Sequence, residues 1–301
     1  MEIADKIRKL KKENNAIILA HNYQRPEIHD IADFVGDSLG LSIEASKTDA
    51  SMIIFCGVHF MAETAKILSP DKTVLLPEKD AGCPMADMIT PDQLLAVQTS
   101  YPGAVTMCYV NTSAAVKALC DYCCTSANAL KMAQKIASMN KRIIFVPDKY
   151  LAAYVSSIMD HDFITWDGYC PVHANIDAAA ILKLKTSHPQ AKVIAHPECK
   201  PEITRLADVV SSTEGMSKHI KNSSDKEFII ATEIGIIHRL KKENPEKTFY
   251  PASEKAICAD MKKITLEKVL WSLENRSYEI TLPADILQKA RHSIEKMLQT
   301  V

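Results

Sequence analysis

Short apolar runs alternate with helix-period segments along the whole chain, and the alternation is played through three times. Each round opens on a run at 17–20, 104–108 or 193–195. Runs this short, apolar on both faces, suit strands buried inside a parallel sheet. A helix-period segment follows, as at 26–33, where a proline fits the first turn. A second run comes at 33–36, 122–124 and 209–210, and Ser38, Ser126 or Thr213 then stands where another helix begins. SMIIFCG, KRIIFVP and EFIIATE predict third strands; after a further helix, such as 61–68, KTVLLP, FITW and KTFYP predict fourth ones. Strand and helix in strict alternation imply parallel sheets with right-handed crossovers. The expected fold is α/β: three similar α/β/α layered domains with short parallel sheets, in a pseudo-threefold arrangement around a central site. The expected bounds are 1–84, 85–171 and 172–259, with a helical tail over 260–301 packing back on the body.

Polar residues keep the same beat. His21, Tyr109 and His196 are 88 and 87 residues apart, as are Tyr23, Asn111 and Glu198, and Ser38, Ser126 and Thr213. Cys83, Cys170 and Cys258 are 87 and 88 apart. Units one and three align without a gap: Ala20 with Ala195, His21 with His196, Pro26 with Pro201, Glu27 with Glu202, Asp33 with Asp208. The period is far longer than that of a solenoid, so whole domains are triplicated. The repeating polar residues fall at the carboxyl ends of predicted strands, the edge where open parallel sheets bind ligands. Three such edges facing one axis would enclose a single cavity.

Composition narrows the chemistry. A chain of 301 residues, 47% hydrophobic, can bury a sizeable core in more than one domain. Lys+Arg 36 against Asp+Glu 37 offers no charge excess for nucleic acid or a membrane surface. No apolar run reaches the roughly 18 residues of a membrane span. The charged N-terminal segment lacks the layout of a signal peptide, so a cytoplasmic protein is expected. With eight glycines and neither GxGxxG nor GxxxxGK[ST], the chain gives no support to standard dinucleotide or P-loop readings. Nine cysteines in such a chain read as thiols rather than a disulfide scaffold.

The repeat sorts those cysteines. Cys108 aligns with Ala20 and Ala195, Cys120 with Ala32 and Ala207, Cys123 with Val35 and Val210, and Cys124 with Gly36 and Ser211. Cys56 aligns with Ala231 and roughly with Val146, and Cys199 with Gln24 and Thr112. These six are replaceable filler. Cys83, Cys170 and Cys258 align with one another, in AGCPMA, GYCPVH and AICADM, and are the expected metal ligands. Three thiolates from three domains, without the paired CxxC spacings of structural zinc, suit an iron–sulfur cluster. A [4Fe-4S] cluster on three cysteines leaves one iron open to act as a Lewis acid, which favours dehydration chemistry over electron transfer.

Around that axis, Glu198 beside His196 and Tyr23 is a proton-transfer candidate. Ser38, Ser126 and Thr213 read either as helix N-caps or as contacts to substrate oxygens. Asp33, Asp121 and Asp208 fall at helix-to-strand junctions and read as structural. His173 sits three residues past Cys170 with no histidine at Ala86 or Met261, and two readings stay open: a support behind the cysteine ligand, or no part in the site.

Taken together, AHNYQ at 20–24, GDS at 36–38, FMAETAK at 60–66, CPMA at 83–86, YVN at 109–111, TSAN at 125–128, PDK at 147–149, CPVH at 170–173, HPEC at 196–199, ST at 212–213 and the lone Cys258 resemble the quinolinate synthase A family of de novo NAD biosynthesis. The resemblance implies condensation of iminosuccinate with dihydroxyacetone phosphate to quinolinate, phosphate and two waters. It implies a [4Fe-4S] cluster on Cys83, Cys170 and Cys258. The iminosuccinate site would comprise His21, Ser38, Tyr109, Val110, Asn111, Ser126, His196, Pro197, Glu198 and Thr213. Tyr23, with His21, His196 and Glu198, would handle protons. An aspartate-oxidising enzyme supplying iminosuccinate is the expected protein partner. The CxxCxxC run of some members is missing, since Ala259, Asp260 and Met261 follow Cys258. The alternatives are a [4Fe-4S] hydro-lyase acting on a hydroxy-dicarboxylate and a non-enzymatic cluster sensor.

Overall fold

The computed structural model of the protein describes residues 2–300. Twelve strands form three four-stranded sheets, and every pairing within them is parallel. The first sheet holds β1 (Ala16–His21), β2 (Phe34–Gly36), β3 (Met52–Cys56) and β4 (Thr73–Leu75) in the order β2-β1-β3-β4. The second holds β5 (Val105–Tyr109), β6 (Tyr122–Cys124), β7 (Ile143–Val146) and β8 (Ile164–Thr165), ordered β6-β5-β7-β8. The third holds β9 (Lys192–Ala195), β10 (Val209–Val210), β11 (Glu227–Ala231) and β12 (Thr248–Pro251), ordered β10-β9-β11-β12. All three share one topology, as a tripled unit requires, and helices flank each sheet.

A repeated clasp accounts for the three aligned aspartates. The Asp33 carboxylate accepts the Ile18 N–H at 2.8 Å, Asp121 accepts that of Thr106 at 2.8 Å, and Asp208 that of Val193 at 2.8 Å. Each aspartate N–H returns a bond to the carbonyl of the same strand residue. The clasp pins the helix-to-strand junction onto the first strand of its unit, where the backbone would otherwise lose ladder partners.

The inner strands β1, β3, β5, β7, β9 and β11 are mostly or wholly buried, which explains their unbroken apolar runs. Units one and two share one continuous hydrophobic core. The tail completes it. The helix Leu266–Asn275 packs on Ile3–Glu13, and Ala284–Leu298 lies against β6 and the helix Ala114–Lys117, burying Ala290, Ile294 and Met297. Unit three keeps its own two cores, one on each face of its sheet.

Candidate active site

The carboxyl edges of the three sheets surround one cavity of about 320 Å³. Its lining includes Cys83, Cys170 and Cys258, the ring residues His21, Tyr109 and His196, the set Tyr23, Asn111 and Glu198, and the hydroxyl residues Ser38, Ser126 and Thr213. Val110 and Pro197 are buried beside it but are not among the lining residues.

The ring residues arise from strand ends. His21 closes β1, Tyr109 closes β5, and His196 directly follows β9. A local turn then orients each histidine. The Tyr23 N–H donates to His21 Nδ1 at 3.2 Å, and the Glu198 N–H donates to His196 Nδ1 at 3.3 Å. With Nδ1 accepting, Nε2 carries the proton; that of His196 lies 3.2 Å from Ser126 Oγ. Burial drives His21 down to about 3, helped by His29, and His196 down to about 3 against the pull of Glu198. Both rings are therefore neutral donors at neutral pH.

Ser38 and Thr213 are the first residues of their helices rather than the caps. Asp37 caps Ser38–Lys47 through the Gly40 N–H, and Ser212 caps Thr213–Asn222 through that of Gly215. Ser126 lies two residues before Asn128, which precedes Ala129–Ala137. Thr213 Oγ1 accepts a bond from Asn22 Nδ2 at 2.9 Å. Two hydroxyls at helix N-termini, together with neutral ring N–H groups, suit carboxylate or phosphate oxygens. Asn111 Oδ1 is buried in this lining without a protein partner, as expected of a group reserved for a ligand.

Glu198 organises the other side. Its carboxylate accepts the Tyr109 hydroxyl at 2.5 Å and lies 2.8 Å from His173 Nδ1. His173 Nε2 lies 2.8 Å from Thr232 Oγ1, which lies 2.6 Å from the Tyr23 hydroxyl. With the Nδ1 proton directed at Glu198, Nε2 accepts from Thr232, and Tyr23 donates to Thr232. The chain thus runs from a tyrosine of unit one through Thr232, His173 and Glu198 to a tyrosine at the end of β5 in unit two. Burial opposes ionisation of Glu198, but the His173 and His196 rings and the hydrogen bonds from His173 and Tyr109 prevail, holding it below the usual carboxylate range. Burial, then Glu198, raises both Tyr23 and Tyr109 well above the ordinary phenol range. His173 also stacks on His196, with ring centroids 4.8 Å apart.

Sequence reasoning did not find Thr232 and left open whether His173 supports the neighbouring cysteine. Neither repeats: Ala86 and Met261 stand three residues past the other two cysteines. Asp148 was passed over too, although PDK marks it. It is fully buried, capping Lys149–Met159 with Oδ1 while Oδ2 has no partner, and burial, then Glu198, raises it well above the usual carboxylate range.

The three site sulfurs fit thiolate ligation. Burial pushes Cys83 up to about 12, opposed by the Ala86 and Met85 N–H groups, with the Cys258 sulfur adding to the rise. Burial pushes Cys258 up to about 11, opposed by the Met261 and Asp260 N–H groups. Cys170 is raised well above its ordinary value by burial, then by Glu198, against the His173 N–H, and Cys83 adds to the rise. All three sulfurs line the same cavity, each beside a short helical turn. Raised by burial, the thiols hold their protons until a metal binds and releases them, and three such sulfurs on one cavity fit a shared metal group. Cys170 Sγ, His173 and Glu198 also bring ligand-type atoms within 4.8 Å of one another. The other six cysteines are buried in the packed interior, outside the cavity lining.

Residues 5–299 match the family model described as quinolinate synthetase A protein. The chain is 53% identical over 297 residues to the quinolinate synthase of Methanosarcina barkeri, covering 99% of this chain and 97% of that one. It is 51% identical over 297 residues to that of Geotalea uraniireducens (99% and 97%). It is 54% identical over 299 residues to that of Dehalococcoides mccartyi strain CBDB1 (99% and 98%).

Proposed function

Because the chain belongs to the quinolinate synthetase A family, we propose that it is a cytoplasmic quinolinate synthase of de novo NAD biosynthesis. It condenses iminosuccinate with dihydroxyacetone phosphate to give quinolinate, phosphate and two waters. Iminosuccinate would come from an aspartate-oxidising enzyme. The proposed division of the chain, 1–84, 85–171, 172–259 and a tail 260–301, gives each unit one cysteine near its end. Cys83, Cys170 and Cys258 would hold a [4Fe-4S] cluster. When bound, that cluster supplies a Lewis-acidic iron that polarises a substrate oxygen.

The chain's own residues supply binding and proton transfer. His21 and His196 present ring N–H groups to the substrate carboxylates, joined by Ser38, Ser126, Thr213 and the Asn111 amide. The backbone at Tyr109, Val110 and Pro197 would complete the iminosuccinate site. Loss of water removes a proton from carbon and delivers one to the leaving hydroxyl. Tyr23 can take the first as its own proton passes through Thr232 to His173, and Glu198 stabilises the resulting imidazolium. Reversal of the chain returns a proton to the leaving hydroxyl. The product dicarboxylate then leaves the same donors.

The observation that carries this reading is a single cavity bringing together three repeat-matched sulfurs and the Tyr23–Thr232–His173–Glu198 chain. Protein purified without air should be brown, hold about four irons and four sulfides per chain, and form a pyridine dicarboxylate from the proposed pair. Full activity without metal overturns the cluster. One metal without sulfide favours a mononuclear ion at Cys170, His173 and Glu198, whose ligand atoms are close enough to share one. A cluster-replete sample that yields no pyridine product favours a hydro-lyase.

A further inference from the structure

The turn that follows Cys258 is tied to unit one by a buried ion pair. Glu233, two residues past β11, is fully buried. Its Oε1 accepts the Cys258 N–H at 3.1 Å and lies 3.0 Å from Lys262 Nζ, while Oε2 accepts the Gly235 N–H at 2.7 Å. Lys262 Nζ also donates to the Tyr23 carbonyl and, at 3.3 Å, to that of Gln24. The Lys262 carbonyl accepts Arg25 Nε at 2.8 Å, and Gln24 Nε2 lies 3.5 Å from Met261 Sδ. The packing leaves no slack. A methyl group on Gly235 would lie 2.6 Å from Lys262 Nζ, 2.7 Å from Glu233 Oε2 and 2.9 Å from the Gln24 carbonyl.

One carboxylate therefore fixes the Cys258 backbone, and the ammonium paired with it fixes the backbone of Tyr23. We propose that Glu233 and Lys262 are positioning residues that lock the third cysteine's turn to the Tyr23 loop, so that one ion pair sets both cluster retention and the register of the proton-handling tyrosine. The proposal rests on Cys258 being a cluster ligand. Hydrogen-bonded partners behind metal ligands commonly change metal affinity about 10–100-fold when removed. Unlike a surface pair, this one leaves an uncompensated buried charge when one partner goes.

The test uses cluster-replete holoenzyme handled without air. Lys262→Met and Gly235→Ala should lose iron to a ferrous chelator about 10–100-fold faster than the parent. They should change the electron paramagnetic resonance signal of the reduced cluster and lower kcat more than they raise KM. Lys262→Arg should restore much of the slow release. Lys242→Ala breaks another tie between units three and one, to Asp30 at 2.8 Å, without touching the cysteine turn, and should release iron at the parent rate. Circular dichroism checks folding; if Lys262→Met fails to fold, Gly235→Ala, which leaves both charges in place, decides. Parent-like iron release and signal in the folded variants overturn the proposal. A parent protein without iron or sulfide overturns the ligand assignment instead, which keeps the two failures apart.

Discussion

Cys83, Cys170 and Cys258 sit on loops beyond the last strands of their units, each at the mouth of a short helical turn, whereas Cys108, Cys123 and Cys124 are strand residues packed inside the second unit, with Cys120 beside them. Cys108 and Cys123 face each other as partners across β5 and β6. Burial raises thiols in both groups, including Cys120, Cys123 and Cys124, whereas Cys108 is carried down against its burial by hydrogen bonds from Cys120 and Cys123 and by Lys117. The difference lies in where the sulfurs are placed. Cys120 donates its S–H to the Val116 carbonyl at 3.1 Å, and Cys199 donates to that of Ala231 at 3.4 Å, both acts of a thiol. The site sulfurs instead line the one cavity that all three units share. Sulfur count and spacing would favour the crowded Cys120–Cys124 stretch; convergence on one cavity favours the three scattered residues.

The strongest way to break that contrast is by substitution. Cys83→Ala should abolish the intact cluster and lower turnover by about a thousandfold or more, while Cys123→Ala should keep both. Equal iron content in the two variants would remove the distinction. Glu198→Gln should keep the cluster yet lower kcat by about 10²–10⁴, the usual range for a proton-transfer group. A fall in iron content of similar size would make Glu198 a structural support of Cys170 instead.

These contrasts also mark how far the sequence could be read. The strands, their order of recurrence and the aspartate clasps were legible because each is repeated three times, and repetition separates constrained positions from tolerant ones. The same logic was blind to Thr232 and His173. A reaction with one substrate orientation needs asymmetry, and a group present in one unit leaves no echo at Ala86 or Met261. Glu198 was visible because its position repeats, as Tyr23 and Asn111, even though its chemistry does not. Val110 and Pro197 came only from the family resemblance, and their burial beside rather than on the cavity lining explains why side-chain logic could not find them.

The contrast between cavity and packed groups sharpens among the histidines. His29 is buried behind the site, where Nε2 donates to the His21 carbonyl at 3.0 Å and Nδ1 has no partner. Burial lowers its pKa to about 4, although the bond to His21 pulls upward. The unfolded chain, with an ordinary histidine pKa near 6.5, binds the proton more readily. The stability contributed by neutral His29 is thus complete above about pH 6.5 and is lost as pH falls toward 4. At pH 5 the loss is about 1–2 kcal/mol. His29→Gln, which can still donate to His21, should flatten the decline of unfolding free energy between pH 6.5 and 4 in urea titrations. An unchanged slope would place the acid sensitivity elsewhere.

The smallest effect tests the packed sulfurs directly. Cys123 is fully buried, so removing its sulfur forfeits close contacts without exposing a charge. Cys123→Ala should cost about 1 kcal/mol, a drop in Tm of about 2 °C for a chain this long. The thiols should also differ in access. After chelation of the cluster, native protein should be alkylated at Cys83, Cys170 and Cys258, which line an open cavity. Cys108, Cys123 and Cys124 should react only at the rate of global unfolding, because the sheet must separate before reagent can reach them. Rapid labelling of Cys123 in folded protein would mean that β5 and β6 open locally, and the second unit would then be the least stable part of the body rather than part of its shared core.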